Sequence, residues 1–217
     1  MEPSQEPFRF EDPRQERIYR RLRGLVGHGP ADFFKDACQL MANPASLATT
    51  SHLVSHCLRE VESAFCDVLK TLSEHEARLK VKTSDNGHEK KIRGILRDLQ
   101  ISDSDPIAVA WLGLVRKDNG YGLARRAHRY ALSSRPVDGA FRQFWNEMQG
   151  ILDVVLDKFE TSYLAVYTFL DQLLGKAVPT QADVDKLKNN VPNNIVAHGY
   201  FFDRLTSPSW LDLLQSN

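Results

Sequence analysis

From Ser51 to Lys70 the chain reads SHLVSHCLREVESAFCDVLK, and its apolar and polar positions separate onto two faces at the ~100° step of an α-helix. Leu53, Val54, Cys57, Leu58, Val61, Ala64, Phe65, Val68 and Leu69 fill one arc, while His52, His56, Arg59, Ser63 and Asp67 occupy the other. Thr49, Thr50 or Ser51 supplies the N-cap. The same period recurs on both sides of this segment. Ile18, Leu22 and Leu25 predict a helix over 14–26 that stops at Gly27-His28-Gly29-Pro30. Phe33, Phe34, Ala37, Cys38 and Met41 predict a second over 31–41, ended by Asn43-Pro44.

Further along, Ile92, Ile95, Leu96 and Leu99 mark a helix over 88–99, and Pro106 opens a segment over 106–116 that is apolar nearly all round and centred on Trp111. A turn over 117–122 leads to a short helix through Arg125 and His128. From Phe141 to Leu174 one arc stays apolar while Arg142, Asn146, Asp153, Asp157, Glu160 and Asp171 keep to the other. About 34 residues at 1.5 Å each give a spine on the order of 50 Å long. Thr180 and Asp183 have capping spacing for a helix to about 189, and a last helix is expected over 194–205. Only Leu79-Lys80-Val81-Lys82 suggests a short strand. With no βαβ alternation and no hairpin pattern, the fold class is all-α: a multi-helix bundle of roughly eight to ten helices. Residues 1–13, with Pro3, Pro7 and Pro13, read as an extended or mobile arm, 14–174 as the bundle domain, and 175–217 as a solenoid-like helical appendage.

Composition changes this picture little. A chain of 217 residues with 42% hydrophobic and 26% charged positions is ordinary for a globular protein, and a formal net charge of +0 gives no global attraction to nucleic acid or anionic membranes. The polar start MEPSQEPFRFEDPRQER is not a signal peptide, and the longest apolar run, 106–115, is too short to span a bilayer. A cytoplasmic location without membrane association is expected. Cys38 and Cys57 sit on apolar faces and Cys66 on the polar side of its helix, so all three are expected to be reduced structural thiols.

Candidate chemistry is local. His52, His56 and Glu60 have i, i+4, i+8 spacing, but Arg59 beside them opposes a divalent cation. There is no HExxH and no Glu-x-x-His pair, so no metal and no cofactor is expected, and the His52/His56/Arg59 face reads as solvated or as a protein interface. Arg116, Lys117, Arg125, Arg126, Arg129 and Arg135 form the one sizeable basic stretch, with Tyr121 and Tyr130 interleaved. Guanidinium groups suit phosphate, so RNA is a candidate ligand there, and His128 between Arg125 and Arg129 is a candidate proton carrier. A phosphate-binding glycine loop, a GxSxG elbow and a paired CxxC are all missing from the sequence. Near the end, Tyr200, Phe201, Phe202, Trp210 and Leu214 carry much apolar surface, which either folds back or meets a partner.

Arg23 and His28 stand at the arginine–four residues–histidine spacing that resembles the active site of HEPN domains, helical-bundle ribonucleases. That resemblance implies metal-independent RNA cleavage, with histidine handling a proton and arginine stabilising the phosphorane. Arg125, Arg129 and His128 form the alternative set, at a spacing that departs from the family's. Taken together, RIYRRLRGLVGHGPADFFKDACQLM, the 51–69 helix and YFFDRLTSPSWL resemble the N-terminal region of large bacterial helical-repeat proteins. This likeness implies a non-enzymatic interaction or assembly module of a defence or signalling system, joined to itself or to a protein partner. On this likeness the aromatic-rich end either packs on the bundle or leads into a repeat of a longer protein.

Overall fold

The computed structural model describes residues 8–69, 87–115, 135–175 and 180–190. Within them the chain is all-α, with no strand: α1 Pro13–Leu25, α2 His28–Ala42, α3 Thr50–Val68, α4 Gly87–Asp98, α5 Pro106–Val115, α6 Gly139–Leu174 and α7 Gln181–Asn190. None of the described helices is long and apolar enough to cross a membrane.

Local chemistry sets the boundaries. Asp12 caps α1 by accepting the Arg14 amide at 2.7 Å, and Pro13 sits where a helix has no use for an N–H. The Val26 and Gly27 amides both donate to Leu22 O, after which Gly27, at φ 143° and ψ 170°, redirects the chain into α2. Only glycine adopts that conformation cheaply. α4 ends in a Schellman turn: the Ile101 amide donates to Leu96 O at 2.8 Å and the Gln100 amide to Arg97 O at 3.0 Å. Gln100 takes the left-handed position at φ 57°, where glycine is usual.

The helices pack in sequence around one core. α3 lies chiefly on α2, α2 on α1 and α1 on α6, while α4 bridges α3 and α5, and α5 meets α6. Two stacked aromatic pairs lock distant elements together. Phe34 of α2 lies on Trp145 of α6 with centroids 6.0 Å apart, and Phe65 of α3 lies on Trp111 of α5 at 5.7 Å. Phe34, Phe65 and Trp111 are fully buried.

Several expectations need correcting. Cys66 belongs to the buried side of α3, not its polar side, and is 0% exposed. Leu53, placed on the apolar arc, is 40% exposed. The reason is that α3 is covered on two sides. Beyond Val54, Val61 and Phe65 it buries a second stripe, Ser51, Ser55, Leu58, Glu62 and Cys66, rising every three or four residues toward α4 and the 135–138 segment. α5 is not apolar-buried all round, since Val109 is 58% exposed. Asp153, Asp157 and Glu160 do not simply face solvent. Arg17 grips Asp153 through two parallel bonds of 2.9 and 2.6 Å, and Arg21 spreads its guanidinium over Asp153, Asp157 and Glu160, fastening α1 to α6.

Candidate functional site

The N-terminal turns of α3 organise an open concavity among the described residues. Ser51, almost fully buried, donates its hydroxyl to Arg135 O at 2.7 Å, holding the 135–138 segment against the helix. Thr50, also buried, donates to Leu47 O at 2.8 Å and holds the end of the 43–49 loop. Neither hydroxyl caps the helix, whose N-cap Thr49 makes no side-chain cap bond. The two pinned segments leave a cleft of about 510 Å³ between them. Its walls are Pro44, Ala45, Leu47 and Ala48 on one side and Pro136 and Val137 on the other, with Arg135 and Arg142 at the rim.

The electrostatics of this cleft are one-sided. Arg135 and Arg142 are exposed, and neither pairs with a carboxylate among the described residues. Among the described residues, no acidic side chain lines the cleft. Asp138, nearby, is spent on the N-terminus of α6, accepting the Phe141 amide at 2.8 Å. A cleft of similar size, about 560 Å³ at the end of α4, differs in carrying its own carboxylate: Asp103 lies there bonded to Arg93, which also holds Glu89 at 3.0 Å.

The His52/His56/Arg59 face adjoins the cationic cleft. His52 lines a small hollow of about 60 Å³ with Ser55, Arg135 and Pro136, next to the cleft. His56 meets the ring of Phe33 edge-on at 6.4 Å, and Phe33 is itself 38% exposed. Leu47 in the 43–49 loop and Leu53 on the first turn of α3 are also exposed apolar side chains. Arg59 donates to Glu60 at 2.9 Å and lies 3.2 Å from His56 Nδ1, so a guanidinium occupies the space that a metal held by His56 and Glu60 would need.

Sequence reasoning missed a second constellation entirely. Glu62, 4% exposed, is the hub of a polar cluster inside the bundle. Its Oε1 accepts from the indole Nε1 of Trp111 at 3.3 Å, faces His88 Nε2 at 3.0 Å, and receives the Cys66 thiol at 3.2 Å. Three helices meet at one oxygen. The hydrogen bond to Glu62 raises the pKa of His88 above its ordinary 6.5, outweighing the cost of its partial burial. Burial and the adjacent carboxylate push the Cys66 thiol well up, which removes it as a nucleophile. Burial likewise raises the thiols of Cys38 and Cys57. The cluster is therefore a structural clasp with one titratable member reaching solvent, His88, whose side chain is 45% exposed.

Arg23 and His28 fall at the end of α1 and the start of α2, both exposed, on either side of the Gly27 turn. Of the basic stretch, only Arg135 lies within the described residues. Arg116, Lys117, Arg125, Arg126, His128 and Arg129 lie outside them, as do the 79–82 strand reading, the 194–205 helix, and Tyr200, Phe201 and Trp210.

Comparison with protein-family models, with curated proteins and with solved structures returned no significant match.

Proposed function

We propose that this chain is a helical interaction module, a binding rather than a catalytic element, whose working surface is centred on the start of α3. The observation that carries the reading is the preformed cleft between the 43–49 loop and residues 135–142, whose lining includes Arg135 and Arg142 with no carboxylate partner for either among the described residues. Leu47, which lines the cleft, is 46% exposed, and Leu53 on α3 and Phe33 on α2, the latter against His56, are 40% and 38% exposed. Large exposed apolar side chains grouped around a concavity mark binding sites, whereas single ones do not. The two hydroxyl bonds from Ser51 and Thr50 fix the walls before any partner arrives, so little ordering entropy is lost on binding. The partner is a protein, either a second copy of this chain or a larger effector.

The test is site-specific photo-crosslinking of the full chain in producing cells, with the reactive group at position 47 or 53 and at the exposed Val109 as control. The expected result is one adduct, shared by 47 and 53 and absent at 109. Its partner, once purified, should bind the wild type and fail to bind a Leu53→Glu variant of unchanged thermal stability. Absence of a shared adduct overturns the reading. So does cleavage of total RNA in EDTA that is lost in His28→Ala or His128→Ala, which would establish the HEPN-like ribonuclease instead.

A further inference from the structure

We infer that the cleft between the 43–49 loop and residues 135–142 binds an acidic peptide segment carrying at least one aliphatic side chain. The inference deepens the interaction reading and rests on it. Three features of the cleft select this occupant.

The first is charge. Arg135 and Arg142 sit at the rim without carboxylate partners among the described residues, so the site presents two unneutralised guanidinium groups. A guanidinium takes a carboxylate through two parallel N–H···O bonds, and two of them in one cleft lining select a segment with two acidic side chains. The second is the floor. The rest of the described lining is largely aliphatic, Leu47 and Val137 above all, and an apolar side chain entering there is removed from water. The third is what the walls lack. Pro44 and Pro136 have no amide hydrogen to offer, so strand addition is disfavoured at those points and recognition falls to side chains. Nucleic acid is the other polyanion to consider, but among the described residues the lining has no aromatic ring for a base to stack on. A volume of about 510 Å³ takes a few residues, not a folded domain.

The experiment is fluorescence anisotropy of labelled six-residue peptides with the full chain at low ionic strength. The probes are Asp-Glu-Leu-Leu-Asp-Glu, its Asn/Gln counterpart, its Lys counterpart, and an oligouridylate of matched length. The acidic peptide is expected to bind at least about tenfold tighter than the neutral one, and more weakly as salt rises. Arg135→Ala with Arg142→Ala should erase that preference, and Arg135→Glu with Arg142→Glu should transfer it to the lysine peptide. Both residues are exposed, and an unchanged melting temperature confirms that the variants fold. Equal binding of acidic and neutral peptides, an unaltered preference in the double alanine variant, or tighter binding of the oligouridylate each overturns the inference. If these fail while crosslinks at 47 and 53 persist, the interaction reading stands and only the chemistry of the partner is wrong.

Discussion

Replacing Glu62 with leucine removes the acceptor that joins three helices, and its cost follows from what is left behind. The Trp111 indole N–H, in a residue with no exposure, loses its partner at 3.3 Å, and a buried donor left unsatisfied costs about 1–3 kcal/mol. The contact with His88 contributes less, since that ring is 45% exposed and screened by water, and the Cys66 thiol is a weak donor. Against these losses, leucine avoids the desolvation of a carboxylate. The expected net destabilisation is about 1–3 kcal/mol, read from urea unfolding followed by circular dichroism. Trp111→Phe in the same chain removes the orphaned donor, so the double variant should recover at least about 1 kcal/mol relative to the sum of the singles.

The same cluster fixes a pH signature. The folded state raises the pKa of His88 above 6.5, so between that value and the folded one it holds more protons than the unfolded chain. The stabilisation from His88 is therefore fully present below about pH 6.5 and is lost as pH rises through the folded value. Wild-type stability should fall over this window more steeply than that of His88→Gln or Glu62→Leu. A Glu62→Leu variant within about 0.5 kcal/mol of wild type, or one that keeps the full pH slope, would refute the assignment of Glu62 as the hub.

Other consequences are as specific. Gln100→Gly should stabilise the protein by about 0.5–1 kcal/mol in thermal or urea unfolding, because a left-handed residue at φ 57° strains any side chain and the Schellman bonds persist. Gly27→Ala should destabilise by about 1–3 kcal/mol, since φ 143° with ψ 170° is closed to alanine and the α1–α2 turn has no alternative. Arg17, by hydrogen bond and charge, lowers the pKa of Asp153 below 3.8, so its stabilisation is present above that value and is lost as pH falls through the folded one. Asp153→Asn should cost about 1–2 kcal/mol at neutral pH and flatten the acid limb of the stability profile. All three thiols should resist a maleimide in the native protein and react on unfolding, Cys57 first, because it is 8% exposed against 2% for Cys38 and 0% for Cys66.

Helix content was legible because it is local. The period of Ile18, Leu22 and Leu25, the stop at Gly27 and the start at Pro106 each depend on neighbours within a turn or two, and the observed bounds fall within three residues of those read from the pattern. What the pattern could not show is which polar residues have partners far along the chain. His88 finds Glu62 across 26 positions, Trp111 across 49, and Ser51 reaches Arg135 across 84. An apolar arc also undercounts burial when the second buried stripe is polar and satisfied, as with Ser51, Ser55 and Glu62. The one available signal was that stripe's small and thiol residues at helical spacing, Ser51, Ser55 and Cys66, where an exposed face usually carries lysine or glutamate. Arg135 was picked out by sequence as part of a basic run. In the fold it shares a cleft lining with Arg142, which the pattern had assigned to the polar face of the long helix.

Hydrogen exchange of the full chain, with and without saturating Asp-Glu-Leu-Leu-Asp-Glu, tests the α3-centred surface most directly. Slowed exchange confined to residues 43–50 and 135–142 is the predicted result, with the amides of α1 and α4 unchanged. Protection that falls elsewhere, or none at a concentration where the peptide is bound, would contradict the placement of the working surface.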